Sequence, residues 1–194
     1  MADMNTPAAL AASYCDAAMD PHHGRYHDTE YGFPLTDDDE LFERLCLEIN
    51  QAGLSWLTIL KKRSGFREAY DHFDVDRVAA YGEEDRARLM ADARIIRNRL
   101  KINAAIENAR RIQRIRDTHG SFVGWLDAHH PQSRSEWIKL FRKTFLFTGG
   151  EIVGEFLTSI GYLPGAHRED CPVYGGIRAL NPAWARGGSF DGES

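Results

Sequence analysis

The sequence predicts an all-α fold, on three observations. Apolar residues recur at three- and four-residue intervals along most of the chain. Alternating strand patterns are almost absent. Residues that cap helices stand ahead of several periodic runs: Thr36 with Asp39, Ser121, and Ser133 with Glu136. There is no internal repeat, and 194 residues suffice for one domain, in one or two lobes, around one core. That domain is expected over 14–174, between a disordered N-terminus (1–13) and a flexible, Gly-, Pro- and Ser-rich tail (175–194).

The elements follow in order. Residues 1–13 are Ala-rich and have no period. Residues 14–34 hold Cys15, His22, His23, His27, two glycines and Pro34. They read as an irregular segment pinned by something other than its own core. A helix is expected over 36–50, with Asp37 and Asp38 in its positive first turn. Leu41, Phe42, Leu45, Cys46 and Ile49 form its apolar side, and Glu48 falls at the edge of that arc. A carboxylate there is half withdrawn from water and needs a cation or a donor. The residues alone leave two readings of it open: a boundary glutamate, or the acid of an aromatic-walled pocket for a flat cation. Gly53 ends or bends this helix, and Leu54-Ser55-Trp56 starts the next, over 56–72. Short helices are expected over 74–78 and 83–91. The basic stretch 94–101 leads into an amphipathic helix carrying Ile102, Ala105, Ile106, Ala109 and Ile112. Ser121 opens a helix over 122–128, and Ser133 opens one through Trp137, Leu140 and Phe141. A helix over 151–160 then stops at Gly161.

Composition narrows the function classes. A net charge of −5 excludes a generally basic nucleic-acid binder, so any anion-binding face must be a local patch. No apolar run approaches ~20 residues, so no membrane span is expected. The N-terminus lacks the pattern of a signal peptide. Three widely spaced cysteines argue against a disulfide framework and fit a cytoplasmic protein.

Two constellations carry chemistry. His167 and Cys171 are four residues apart, and Cys15 and His27 offer two more ligands. A Cys₂His₂ set suits tetrahedral Zn2+ with no open position, hence structural zinc, clipping the two ends of the domain together. Spacing alone also admits a histidine beside an unrelated cysteine. The second constellation is 143–150, which reads as helix, tight hairpin, helix. Its glycine pair would offer free N–H groups to a phosphate oxygen, with Lys139, Arg142 and Lys143 beside it. A plain helix–helix loop is the alternative.

Several stretches resemble the type I 3-methyladenine DNA glycosylases, the bacterial Tag family of the helix-hairpin-helix superfamily. They are Tyr26-His27-Asp28-Thr29-Glu30-Tyr31-Gly32, Leu47-Glu48 with Gln51-Ala52-Gly53-Leu54-Ser55-Trp56, Thr58 to Arg63, Ile95 to Arg99 with Lys101-Ile102, and His167 to Cys171. The resemblance runs from about Tyr14 to Tyr174. It implies an all-α helix-hairpin-helix glycosylase with a zinc snap at Cys15, His27, His167 and Cys171. It implies Glu48 as the catalytic, base-recognising carboxylate, with Trp56 and Tyr26 stacking on the base. It puts Tyr31 where the family has a tryptophan, His23 where it has a pocket tyrosine, and Ala17 where it has a second tryptophan. The DNA grip falls to the hairpin: Lys143, Thr144, Phe145, Thr148, Gly149 and Gly150. The implied activity is monofunctional excision of 3-methyladenine from double-stranded DNA by base flipping, with free 3-methyladenine as product, by a monomer in the bacterial cytoplasm. The rival is a zinc-stapled reader of damaged DNA that cleaves nothing. A small metalloenzyme would need an open zinc position, which four ligands deny.

Overall fold

The structure, a computed structural model, describes residues 13–186. Ten α-helices and no strand occur among the described residues. They are α1 (Pro21–Thr29), α2 (Asp38–Gln51), α3 (Trp56–Ala69), α4 (Val75–Ala79), α5 (Glu83–Ala91), α6 (Arg99–His119), α7 (Phe122–His129), α8 (Arg134–Thr144), α9 (Gly150–Ser159) and α10 (Tyr174–Ala179).

Helix α2 is the centre of the packing. Every residue from Leu41 to Asn50 is buried, and the helix touches α3, α4, α6, α7 and α9. Burial on all sides brings polar residues inward, and most are answered. Glu43 accepts from Nε of both Arg63 and Arg67, at 2.7 and 2.8 Å. Arg44 donates to the Ser159 carbonyl and to Glu30. Asn50 donates back to the Cys46 carbonyl. Each of these ties α2 to a neighbour or to its own turn, which is the condition for burying polar groups. Helix α6 packs on α4, α5, α7 and α2, and α8 packs on α9. The largest buried side chains, among them Phe42, Phe66, Phe122, Trp137, Phe141 and Phe156, fill the space between.

Several expectations need correction. The cap of α2 is Asp37, not Thr36: its side chain accepts from the Asp39 and Glu40 N–H groups. Residues 14–34 are not irregular. A 3₁₀ turn covers Tyr14–Ala17 and α1 follows, started by Asp20 as cap and Pro21 in the first turn. Only Gly24, Tyr26 and His27 of α1 are buried, so it has no apolar stripe for periodicity to detect. The helix expected over 56–72 stops at Ala69, and Asp71 to Phe73 form a 3₁₀ turn with positive φ. The basic stretch 94–101 is only partly available at the surface. Arg94 pairs with Asp92 and Glu68, and Lys101 is buried. The tail expected to be flexible from 175 is ordered to 186. Helix α10 buries Ile177, and a turn over Ala183–Ala185 buries Ala183 and stacks Trp184 near Tyr174. The expected N-terminal disorder over 1–12 and the tail over 187–194 lie outside the described residues.

Candidate active site

A cleft of about 1200 Å³ opens where α1, α2, α3 and α9 meet. Each wall comes from a different element. Glu48 comes from the last turn but one of α2, Trp56 is the first residue of α3, and Tyr26 and Tyr31 come from α1 and its exit. Gly149 and Gly150 come from the start of α9, and Glu155 from its middle.

The loop between α2 and α3 is held from behind. Lys101 donates from Nζ to the carbonyls of Asn50 and Ala52, at 2.8 and 2.7 Å. A cation at the C-terminus of α2 satisfies carbonyls the helix leaves open and complements its dipole. Burial lowers the pKa of that ammonium. Gly53 then turns the chain with a φ of +81°, and Ser55 caps α3 by accepting from Thr58 N–H. Trp56 is thereby fixed against the cleft, 5.2 Å from the Tyr26 ring.

Glu48 is buried more deeply than the edge of an apolar arc implies, at 5% exposed. The reason is that α9 and the aromatic segment cover the polar side of α2. Burial pushes its carboxyl up to about 8; Arg44, one turn earlier, opposes this, and Glu155 adds to it. Unlike Glu43, Glu48 receives no hydrogen bond from the described residues. Beside it the Tyr26 hydroxyl is buried and also has no hydrogen-bond partner, while the Arg44 guanidinium stands 4.9 Å from the Tyr26 ring. A carboxyl and a phenol, both buried and neither hydrogen-bonded among the described residues, line one aromatic cleft. That is the pattern of a ligand site rather than of a finished core.

His23 is not among the cleft residues. Its Nδ1 lies 2.8 Å from the Tyr14 hydroxyl, and it is Tyr14 that lines the cleft, 4.7 Å from the Tyr31 ring. His23 stands behind the wall and supports it through Tyr14. The signal for Tyr14 was its position next to Cys15. Ala17 lines the cleft as well. Glu155 was also missed as a site residue, although it interrupts the apolar run Ile152, Val153, Phe156, Leu157 on α9.

Behind the aromatic wall, Cys15, His27, His167 and Cys171 converge, with all four ligand atoms within 4.8 Å of one another. His27 Nε2 and His167 Nδ1 are 3.1 Å apart, and Cys171 Sγ lies 3.6 and 3.5 Å from them. Cys15 Sγ is 3.8 Å from His167 Nδ1. The outward nitrogens are occupied: His27 Nδ1 pairs with Asp28 at 2.7 Å, and His167 Nε2 with the Tyr31 carbonyl at 2.6 Å. Each imidazole therefore offers one chosen nitrogen to the centre, as metal-binding histidines do. Gly32 allows the two halves to meet. Its φ is +83°, and a Cβ there would stand 2.7 Å from Ala166 Cβ. The group can hold a metal ion.

The 143–150 segment is a tight turn between α8 and α9. Asn108 of α6 pins it by accepting from Leu146 N–H and donating to the Leu146 carbonyl, at 2.8 and 3.1 Å. Arg111 donates to the Thr144 carbonyl, and the Thr144 hydroxyl donates to that of Leu140. Two of the expected DNA-contacting residues have buried side chains. The Phe145 side chain is in the core, and Thr148 is buried with its hydroxyl on the carbonyls of Phe141 and Phe145. Both build the turn. The exposed side chains at its tip are Leu146 and Phe147, with Lys143 nearby on α8. Gly149 caps α9 without a side-chain hydrogen bond, and a Cβ there would meet nothing within 4 Å among the described residues.

The arrangement has counterparts. A model of the methyladenine glycosylase family matches residues 16–137. The chain is 39% identical over 178 residues to DNA-3-methyladenine glycosylase 1 of Escherichia coli strain K12, covering 82% of this chain and 95% of that protein. It is 35% identical to the DNA-3-methyladenine glycosylase of Haemophilus influenzae, covering 76% of this chain and 89% of that one. Among solved structures, a variant of 3-methyladenine DNA glycosylase I in complex with 3-methyladenine superposes with a TM-score of 0.76 at 31% identity, covering 83% and 96% of the two chains. Agreement in sequence over most of both chains, and in the all-helical fold that frames the cleft, has one reading: this chain belongs to the methyladenine glycosylase family.

Proposed function

We propose that the chain is a DNA repair enzyme, a monofunctional DNA-3-methyladenine glycosylase that acts as a monomer in the bacterial cytoplasm. The observation that carries this is the pair Glu48 and Tyr26, buried in one aromatic cleft with no hydrogen-bond partner among the described residues. A 3-alkylated adenine in DNA is a flat cation with an exocyclic amine. Glu48 would accept from it by charge-assisted hydrogen bonding, and Trp56 and Tyr26 would flank its ring. Stacking of this kind is worth ~1–3 kcal/mol per base. The cleft admits only a base that has left the helical stack, so the target nucleotide is flipped at a cost of about a few kcal/mol.

The DNA grip is assigned to the helix-hairpin-helix unit α8–turn–α9. A glycine that no internal contact requires, at an uncapped helix N-terminus beside the cleft, leaves room for a phosphate against open N–H groups. Lys143 supplies charge. Its replacement by alanine is expected to lower the salt slope of duplex binding by about one, the value for one phosphate contact. An unchanged slope in a binding titration from low to moderate salt would remove Lys143 from the interface.

The Cys15, His27, His167 and Cys171 group suits zinc. A tetrahedron with Zn–S near ~2.3 Å and Zn–N near ~2.0–2.1 Å has edges of roughly 3.3–3.8 Å. Four of the six spacings between the ligand atoms run from 3.1 to 3.8 Å, and all six lie within 4.8 Å. Bound there, zinc supplies a closed structural clip between the first and last segments, with no open position for chemistry.

The direct test is single-turnover incubation with methylated duplex DNA, resolving 3-methyladenine from 7-methylguanine. Release of 3-methyladenine is expected. Tight binding of the methylated duplex with no base released would make the protein a reader and not an enzyme.

A further inference from the structure

The cleft holds a second carboxylate that base recognition does not use. Glu155 stands on α9, and its Oε2 accepts from the buried Tyr31 hydroxyl at 3.3 Å. Both residues line the cleft, as does Glu48. The field of Glu155 is felt at Glu48, whose carboxyl it helps to raise. Glu151, the other acid of this helix, also lines the cleft, but its side chain is 93% exposed and turned toward Arg134, and no tyrosine holds it. It is not a candidate.

The position of Glu155 along α9 is informative. The helix begins at Gly150, where the proposed phosphate would sit, and Glu155 follows five residues later. At 1.5 Å per residue that is roughly 7.5 Å along the axis. A flipped nucleotide with its phosphate at the helix start and its base between Glu48 and Trp56 has its deoxyribose between the two. A carboxylate in a DNA-binding cleft also has an electrostatic cost, since it repels phosphates. Here the cost is incurred, and a buried tyrosine hydroxyl is committed to holding the group in place.

We propose that Glu155 is a catalytic carboxylate that faces the sugar of the flipped nucleotide. The proposal rests on the glycosylase reading above. In the step, the C1′–N bond breaks and its electron pair goes to the base nitrogen, which neutralises the cationic base. The positive charge left on the sugar is stabilised by the Glu155 carboxylate. Water forms the new C1′–O bond and gives its proton to Glu155. The products are neutral 3-methyladenine and an abasic sugar. Tyr31 is a positioning residue that acts through Glu155.

The test is single-turnover excision of 3-methyladenine by Glu155→Gln, Glu155→Asp and Tyr31→Phe, with thermal melting and affinity for undamaged duplex measured on each. Glu155→Gln is expected to slow excision about 10²-fold, the lower range for a single acid–base group, because the leaving group is already good. Its affinity for undamaged duplex is expected to rise, because a repelling charge is gone, and its melting temperature to stay put. Glu155→Asp keeps the charge and is expected to recover part of the rate. Tyr31→Phe is expected to lose less than Glu155→Gln, since the carboxylate remains. Excision by Glu155→Gln at the parent rate overturns the proposal. So does a loss of rate that follows a loss of DNA affinity or of melting temperature, which would mark a structural role. A parent protein that releases no 3-methyladenine at all fails on the glycosylase reading itself, before any variant is compared.

Discussion

Glu48→Gln is expected to reduce 3-methyladenine release about 10²- to 10³-fold and to make the protein more stable. The two effects have one cause. Folding carries the Glu48 carboxyl from its ordinary value of 4.5 up to about 8, mainly by burial. Between those values the folded chain holds a proton that the unfolded chain has lost. Stability contributed by this group therefore falls as pH rises from 4.5 to 8 and levels off beyond. The upper bound on the loss is roughly 4–5 kcal/mol above pH 8, at 1.36 kcal/mol for each tenfold change in acidity. Glutamine has no such proton to lose. The melting temperatures of parent and variant should agree below pH 4.5 and separate by several degrees by pH 8.5, with the variant higher.

The same burial explains the selectivity. In the free protein the carboxyl is mostly protonated at neutral pH. A cationic base brought against it favours the ionised form, so the lesion drives the proton out and forms a charge-assisted hydrogen bond. A neutral base offers no such return. After the glycosidic bond breaks, the base is neutral, Glu48 takes up a proton again, and the product is held less tightly. Loss of one such preorganised electrostatic partner costs a factor of about 10²–10³ in rate. The measurement is single-turnover base release beside melting curves across pH. Parent-level excision by Glu48→Gln would return Glu48 to a boundary role, and an unchanged melting curve would show that its burial carries no electrostatic penalty.

What could be read from the sequence, and what could not, divides along physical lines. Helices with apolar stripes or capping residues were legible: α5, α7 and α9 lie within a residue of expectation, and α8 starts directly after its expected cap, Ser133. Helix α1 was not, because its stabilisation comes from an Asp cap, a proline start and a few aromatic contacts, none of which repeats. The buried charges of α2 were not either. Glu43 and Glu48 differ by five positions on one helix, yet one is answered by two arginines from α3 and the other by nothing. Only tertiary structure distinguishes them. The same limit applies to His23 and Tyr14, where a resemblance identified the wall of the cleft but not which ring forms it. Lys101 shows it in reverse. It ends a basic run, and the structure turns it inward to hold the carbonyls behind Trp56.

Removal of the metal is expected to unfasten the cleft from one side. Tyr14, Tyr26 and Tyr31 all lie on the segment that Cys15 and His27 would clip to His167 and Cys171. Glu48 and Trp56 lie on α2 and α3, which belong to the main core. Cys171→Ala deletes one ligand and leaves three, which no longer close a tetrahedral site. Loss of a structural metal ranks among the largest single-residue effects, about 4 kcal/mol or more. For a domain of this size that corresponds to a melting temperature lower by roughly 10 °C. The loss should be uneven. Amide hydrogen exchange is expected to quicken over 14–31 and to stay slow in α2, whose residues from Leu41 to Asn50 are all buried. Excision should fall with it, because three aromatic walls of the cleft are on the loosened segment. Chelation of the parent should reproduce the variant, and chelation of the variant should add nothing, since both act on one ion. Elemental analysis must find about one zinc per chain in the parent. Absence of metal in freshly purified protein, or a Cys171→Ala variant that melts with the parent, would mean that four converging ligands hold these segments by their own hydrogen bonds alone.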